Sequence, residues 1–464
     1  MIESAIDSHA HLQADRLADD LPGVLARARA ASLDAVITVG VEPAENGRVA
    51  EMARREPMLH AALGFHPHVA SQIKAVDWPM LEELAGRPEV VALGEFGLDY
   101  HYAHSPAAAQ MDVFAAGVRL AADMGLPLVI HTREADADTL SVLDAADALP
   151  RGVFHCFTGS AAFAEEAVAR GFYVSFSGIV TFPKSEAVRE AARCVPLERL
   201  LVETDSPYCA PVPMRGKTNE PAYVVHVIRR LAEVRGLSEN DVRRITRRNA
   251  SRLFGLPLPG GGATFVYPIR HSLYVNLTNR CTNTCTFCPR SAEDPDLTVK
   301  GHNLALEHEP DVQELVDALE AARPANYTEV VFCGFGEPTL RLDVLKRVAD
   351  AVKRRWRLPV RLNTNGHGSA IAGRDITADL AGRIDVVSVS LDAPDAETYA
   401  RLCQPTLPDA FEAVCEFIRA CKGHIGDVCA TAVAVPGLDI EAVRRLAEEE
   451  LGARFRARTY NEVG

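Results

Sequence analysis

Eight short apolar, β-prone runs recur through the first 205 residues, and the helix-length sequence between them constrains the fold more than any other feature. The runs are 3–9, Ala35–Val39, Ala61–Gly64, Val90–Leu93, Leu128–Ile130, Gly152–Phe154, Phe172–Ser175 and Leu200–Val202. Amphipathic stretches such as Leu81–Ala85 and Ala161–Arg170 separate them. Eight alternating βα units over about 250 residues predict an α/β fold, a closed parallel (βα)8 barrel of TIM type. Such barrels carry their chemistry where the strands end.

The first run closes on Asp7-Ser8-His9-Ala10-His11. Residues i and i+2 of a strand share a face, so both imidazoles project the same way. A lone H-x-H is a weak signal, but the same rim collects more donors. Glu95 follows Val90–Leu93, His131 follows Leu128–Ile130, His155 follows Gly152–Phe154 and Asp205 follows Leu200–Val202. Core histidines would not keep arriving at the same point of successive units. The number and chemistry of these groups suit a pair of divalent cations, with Glu95 bridging both.

These stretches resemble the TatD-type metal-dependent hydrolases, within the wider amidohydrolase-like barrels. The resemblance runs from Met1 to about Gly255. It rests on Asp7–Leu12, Gly64-Phe-His-Pro-His68, Gly94-Glu-Phe-Gly-Leu-Asp-Tyr100, His131-Thr-Arg-Glu134, His155-Cys-Phe-Thr-Gly159, Glu203-Thr-Asp-Ser-Pro207 and Arg215-Gly-Lys-Thr-Asn219. It implies His9, His11, Glu95, His131, His155 and Asp205 as ligands of two divalent ions (Mg, Mn or Zn). It also implies phosphodiester hydrolysis of DNA, often as an exonuclease. In the mechanism that fits, metal-activated water attacks phosphorus and Asp205 takes its proton, so Glu95 and Asp205 are the catalytic carboxylates. Arg133, Lys184 and Lys217 are candidate phosphate contacts, against a reading as solvated surface charges. His66 and His68 either line the pocket or lie on the surface, and His101 and His104 read as loop residues.

Periodicity stops at Leu256-Pro-Leu-Pro-Gly-Gly-Gly262. A Pro/Gly stretch of this kind reads as a linker, placed at 256–263 between domains 1–255 and 264–464. Beyond it, Cys281-Thr-Asn-Thr-Cys285-Thr-Phe-Cys288 follows the apolar run 273–277. The spacing C-x3-C-x2-C lets one loop offer three thiolates to a single [4Fe–4S] cluster, leaving one of its four irons without a protein ligand. A structural zinc loop would need a fourth ligand, and the immediate neighbours include no further Cys or His.

The cysteine loop, with Phe287 before its last cysteine, resembles the radical S-adenosylmethionine (SAM) superfamily from about Phe265 onward. The units that follow predict a partial (βα) barrel: strands at Glu329–Phe332, 359–366, 384–392, Val428–Val435 and Phe455–Thr459, with helices at Asp311–Ala322, Leu340–Arg355 and Glu441–Glu450 between them. The resemblance implies that Cys281, Cys285 and Cys288 hold the cluster. It implies that the turn with Gly334, Gly336 and Glu337 binds the amino group of SAM, although Phe335 stands where many members carry glycine. Asn363 or Thr364 is expected near SAM, and Ser390 at its ribose or carboxylate. The implied chemistry is reductive cleavage of SAM to a 5′-deoxyadenosyl radical, supplied with electrons by a donor such as flavodoxin or ferredoxin. Cys403, Cys415, Cys421 and Cys429 fit no trusted spacing for an auxiliary cluster and read as small buried hydrophobes.

Eleven cysteines, an odd number with three clustered, argue for a reducing compartment. No apolar run reaches membrane length, and the opening heptapeptide lacks the basic start and apolar core of a secretory signal. A cytoplasmic location is expected, with no membrane partner. The net charge of −14 divides into 34 acidic against 26 basic residues through residue 260 and 29 against 23 beyond it. Neither half is a broad basic surface for nucleic acid, so phosphate must be held by local cations. The whole reads as a bifunctional enzyme, its barrel acting on DNA or a nucleotide. The alternatives are a barrel that hydrolyses a small amide, ester or nucleotide, or a half that serves only as a binding module.

Overall fold

The computed structural model describes residues 3–257, 263–291 and 297–460. It divides into two compact units, Met1–Pro259 and Gly260–Gly464. Most of the expected linker, residues 258–262, lies outside the described residues.

In the first unit the strands are β1 (Ala5–Ala10), β2 (Leu33–Gly40), β3 (Leu59–Leu63), β4 (Val90–Asp99), β5 (Leu128–Arg133), β6 (Gly152–Phe154), β7 (Tyr173–Phe176) and β8 (Leu200–Val202). Each pairs in parallel with the next in chain order. The ring closes where Asp205 N donates to His9 O at 2.9 Å and His11 N to Ser206 O at 2.7 Å. Strands covered on both faces are largely apolar, and here the polar exceptions such as His9, Glu95 and His131 lie in the C-terminal halves of their strands. Ile6, Ile37, Val39, Ala62, Ala92, Val129, Val153 and Leu201 fill the interior together with Leu253 and Phe254. The last two belong to helix Glu239–Phe254, which starts at a reciprocal cap between Ser238 and Asp241 and stops at Gly255, whose φ of 66° favours glycine.

The sequence places Glu95 and His131 just past their strands, whereas the structure puts both inside β4 and β5. Those strands continue past a register shift between Leu93 and Phe96 and pair as far as Asp99 and Arg133. The extension carries a further carboxylate, Asp99, to the same rim.

The second unit is an open sheet of β9 (Val266–Ile269), β10 (Ser272–Val275), β11 (Glu329–Phe332), β12 (Val360–Thr364), β13 (Val386–Ser390), β14 (Asp427–Val433) and β15 (Arg454–Arg458). Its strands lie in chain order from β9 at one edge to β15 at the other. All pairings are parallel except that of β9 with β10. That hairpin is absent from the sequence reading, because its two-residue loop, Arg270-His271, lacks the Asn-Gly or Asp-Gly signal. On one face Leu273, Val275, Val330, Phe332, Leu362, Val387, Val389 and Ala430 pack with residues of helices Leu342–Arg355 and Ala410–Cys421. Arg361, Asn363, Ser388 and Thr431 alternate with those core positions. Among the described residues no helix is long and apolar enough to cross a membrane.

Candidate active sites

The barrel site is built around Glu95, which is buried and turns one oxygen to each side. Its Oε2 lies 3.4 Å from His9 Nε2 and 3.7 Å from His11 Nε2. Its Oε1 lies 2.6 Å from His131 Nδ1 and 2.7 Å from His155 Nε2. Asp205 completes the first side, with Oδ1 3.4 Å from His11 Nε2 and 3.9 Å from His9 Nε2. All six expected ligands therefore converge. His66 joins the second side, its Nε2 3.4 Å from Glu95 Oε1.

Electrostatics shows what this arrangement can hold. Burial opposes ionisation of Glu95, but the imidazoles of His155, His66 and His131 outweigh it and hold its carboxyl well below the ordinary range. Burial likewise opposes ionisation of Asp205, yet His11 brings it down to about 2. His9 is pushed down by burial and by His155, and its buried Nδ1 finds no partner. The Nε2 atoms of His9 and His11 face each other at 3.2 Å beside carboxylate oxygens. Such a donor set calls for positive charge between its members, and two divalent cations fit it.

Three further residues support the ligands. Asp99 Oδ2 lies 3.2 Å from His131 Nε2 and 3.0 Å from His68 Nε2, which fixes the His131 ring. Glu203 accepts from Cys156 N at 2.5 Å and lies 3.4 Å from His155 Nδ1. Asp7 accepts from Thr204 N and Oγ1 at 2.8 and 2.6 Å, and burial raises its carboxyl to about 8. Asp99 and Glu203 escaped the sequence reading, although each falls an even number of residues from a carboxylate it singled out. Arg133 lies over the Tyr102 ring at 4.7 Å. Lys184 and Lys217 are exposed on loops beyond the strands, and His101 pairs with Glu134 at 2.7 Å.

The second site is local. Cys281, Cys285 and Cys288 are free and half-buried. Burial pushes the Cys281 thiol up to about 11 and raises Cys288 as well. Backbone bonds moor the loop: Thr284 N donates to Cys403 O at 3.1 Å and Thr286 N to Leu402 O at 2.9 Å. Beneath it, Asn283 Nδ2 donates to Tyr399 Oη at 3.0 Å, and Tyr399 Oη lies 3.1 Å from His367 Nε2. His367 Nδ1 lies 2.9 Å from Thr282 Oγ1. Three thiols on one supported loop fit an iron–sulfur cluster with an open iron.

The turn with Gly334, Gly336 and Glu337 lies against the chain entering this loop. A Cβ on Gly336 would meet Thr278 O at 2.1 Å, and one on Gly334 would meet Asn276 Oδ1 at 2.2 Å. The Glu337 carboxylate is buried and accepts from Thr339 N and Oγ1, Thr364 Oγ1 and Asn365 N, at 2.6 to 2.9 Å. It ties the ends of β11 and β12 together, and the backbone of the turn is what remains for a ligand. Asn363 accepts from Arg361 Nη1 at 3.2 Å and Ser390 from Arg458 Nη2 at 3.4 Å. Cys403 sits against Cys285, a contact that with burial raises its thiol. Cys415 and Cys421 pack in the core, and Cys429 donates to Ala430 O at 3.5 Å. Neither these four cysteines nor Cys281, Cys285 and Cys288 form a group of three donors within 4.8 Å of one another among the described residues.

The model of the TatD related DNase family matches residues 6–255. The chain belongs to that family. Residues 275–449 match the Radical SAM superfamily, so this TatD-family chain carries two enzyme domains. The uncharacterized metal-dependent hydrolase YabD of Bacillus subtilis is 40% identical over 250 residues, which cover 53% of this chain and 98% of YabD. The 3′-5′ ssDNA/RNA exonuclease TatD of Citrobacter rodentium is 36% identical over 258 residues, or 54% of this chain and 98% of that protein. The crystal structure of YJJV, a TatD homolog from Escherichia coli K12, superposes with a TM-score of 0.53 at 29% identity. It covers 55% of this chain and all of its own. TatD membership implies divalent metals at the barrel rim, and the second domain implies an iron–sulfur cluster with SAM.

Proposed function

We propose that the chain is a bifunctional enzyme: residues 1–255 form a two-metal exonuclease-like phosphodiesterase, 256–263 a linker and 264–464 a radical SAM domain. The division of the Glu95 carboxylate carries the first half, one oxygen to His9 and His11 and the other to His131 and His155. Divalent cations held there supply a Lewis acid and a water acidic enough to lose its proton near neutral pH. Asp205 Oδ1 would accept the proton of such a water, and Asp99 and Glu203 keep the His131 and His155 rings oriented. Arg133, Lys184 and Lys217 meet the phosphates of the nucleic acid at the rim. The similarity to a 3′-5′ ssDNA/RNA exonuclease supports nucleic acid as the substrate class.

In the second half Cys281, Cys285 and Cys288 would hold a [4Fe–4S] cluster. Such a cluster would supply one electron for reductive cleavage of bound SAM. The backbone around Gly334 and Gly336 receives the amino group of SAM, while Asn363 and Ser390 contact the rest of it. Two assays test the halves separately. End-labelled single-stranded DNA with Mg²⁺ or Mn²⁺ should be shortened from its 3′ end by the chain and not by His131→Ala. Anaerobic reconstitution with SAM and dithionite should release 5′-deoxyadenosine. Intact DNA in the first assay rejects the nuclease, and no 5′-deoxyadenosine in the second rejects the radical enzyme.

A further inference from the structure

Beside the histidine cluster lies a second kind of convergence. The sulfurs of Cys156 and Cys209 and one oxygen of Asp205 all lie within 4.8 Å of one another. Asp205 divides its carboxylate: Oδ1 faces His11 and His9, while Oδ2 accepts from the Cys209 thiol at 3.5 Å. The Cys156 sulfur lies 3.1 Å from Ser177 Oγ. Each of these three residues holds a positive φ, 42° at Cys156, 56° at Asp205 and 52° at Cys209. Residues other than glycine rarely take this backbone, and three such neighbours with metal-capable side chains are what a built site looks like. Gly178 makes room for the arrangement, since a Cβ there would stand 1.9 Å from Cys209 O.

We propose that Cys156, Cys209 and Asp205 Oδ2 form a third cation site, which takes a thiophilic divalent ion such as Zn²⁺. A tetrahedral zinc with Zn–S of about 2.3 Å and Zn–O of about 2.0 Å has a sulfur-to-oxygen edge of roughly 3.5 Å. That is the separation between Cys209 Sγ and Asp205 Oδ2. Two thiolates select zinc over magnesium or manganese, so the cysteine site and the histidine–carboxylate lobes would sort different ions. Each thiol gives its proton to solvent as the ion binds. Both cysteines are half-buried, which leaves a path in, and three protein donors leave a fourth position open. The site draws on one carboxylate oxygen that the imidazoles do not face, and it stands whether or not the barrel cuts DNA.

The test uses the full chain carrying Cys281→Ser, Cys285→Ser and Cys288→Ser, so that the cluster loop contributes no sulfur, loaded anaerobically with Co²⁺. A sulfur-to-cobalt charge-transfer band should appear and saturate at one equivalent. It should vanish when Cys156→Ser or Cys209→Ser is added, and it should survive His131→Ala. Zinc bound by the otherwise unaltered chain should fall by one equivalent in Cys209→Ser, with the circular dichroism unchanged. A correctly folded chain without the band overturns the proposal. So does a peptide in which Cys156 and Cys209 are joined by a disulfide after anaerobic purification. A surviving band in protein that leaves DNA intact would reject the nuclease and keep the cation site.

Discussion

The barrel site gathers its donors from His9 to Asp205, across the whole first unit, whereas Cys281, Cys285 and Cys288 occupy one eight-residue loop. In the barrel the six donors come from five strands or their ends, with His9 and His11 sharing β1, so folding alone assembles the site. Its charges are already arranged, with Glu95 and Asp205 held ionised by the imidazoles around them. In the loop, proximity comes from the sequence and the fold supplies only mooring. Burial lifts the Cys281 thiol to about 11 and raises that of Cys288, so these two stay protonated until a cluster takes them. A site assembled by topology exists before its metal. A site assembled by a loop is completed by its cofactor.

Two substitutions break the comparison most sharply. Cys285→Ala removes one of three thiolates from a cluster with no spare protein ligand, so 5′-deoxyadenosine should fall below detection, together with the visible absorption of the cluster. DNA cleavage by the same protein should stay within about twofold, because Cys285 belongs to the other compact unit and shares no partner with the barrel donors. Glu95→Gln is the converse. An amide cannot serve both lobes as a charged bridge, and cleavage should drop about 10³-fold, while reconstituted 5′-deoxyadenosine production is unchanged. Equal losses in both assays from either variant would show that the two sites are not independent.

The same contrast decides what the sequence could reveal. A short β-prone run and the H-x-H ending disclosed β1 and brought out His9 and His11 as candidate ligands. The reach of β4 and β5 was hidden, because it depends on a register shift beside Glu95 that pairing across strands creates and no local pattern encodes. For that reason Asp99 was passed over, four positions beyond Glu95. The cysteine loop was legible at once from its spacing. Its mooring was not: Tyr399 and His367 are distant in the chain, and only tertiary packing sets them under Thr282 and Asn283. Glu337 was expected at a ligand, yet its carboxylate bonds four groups of its own chain.

That last observation gives a prediction of intermediate size. Glu337→Gln turns one acceptor into a donor, which then faces the N–H of Asn365 or the Thr339 and Thr364 donors. One buried bond is lost and its partner is left unmet, at about 2–3 kcal/mol. Urea unfolding of the second unit, followed by hydrogen exchange of peptides covering β11 and β12, should shift by that amount. Exchange in β1 to β8 should not move. A shift below about 0.5 kcal/mol would mean that the carboxylate is not a structural tie.

The most gradual effect expected is a pH dependence that His367 gives the cysteine-loop unit. His367 is fully buried, and burial lowers its imidazole from 6.5 to about 4, so the folded chain keeps the ring neutral between Thr282 and Tyr399. In the unfolded chain the ring takes up a proton below about 6.5. Between those values the unfolded state binds more protons, so stability is full above 6.5 and falls as pH drops, levelling off near 4. At about 1.4 kcal/mol per pH unit the loss reaches at most about 3.5 kcal/mol. Hydrogen exchange of peptides from β12, measured from pH 7 to 4 and corrected for the intrinsic rate, should show protection declining across that window. His367→Asn, which cannot titrate, should flatten the curve while lowering protection at pH 7. An identical slope in that variant would assign the pH dependence to another group and leave His367 as a mooring residue only.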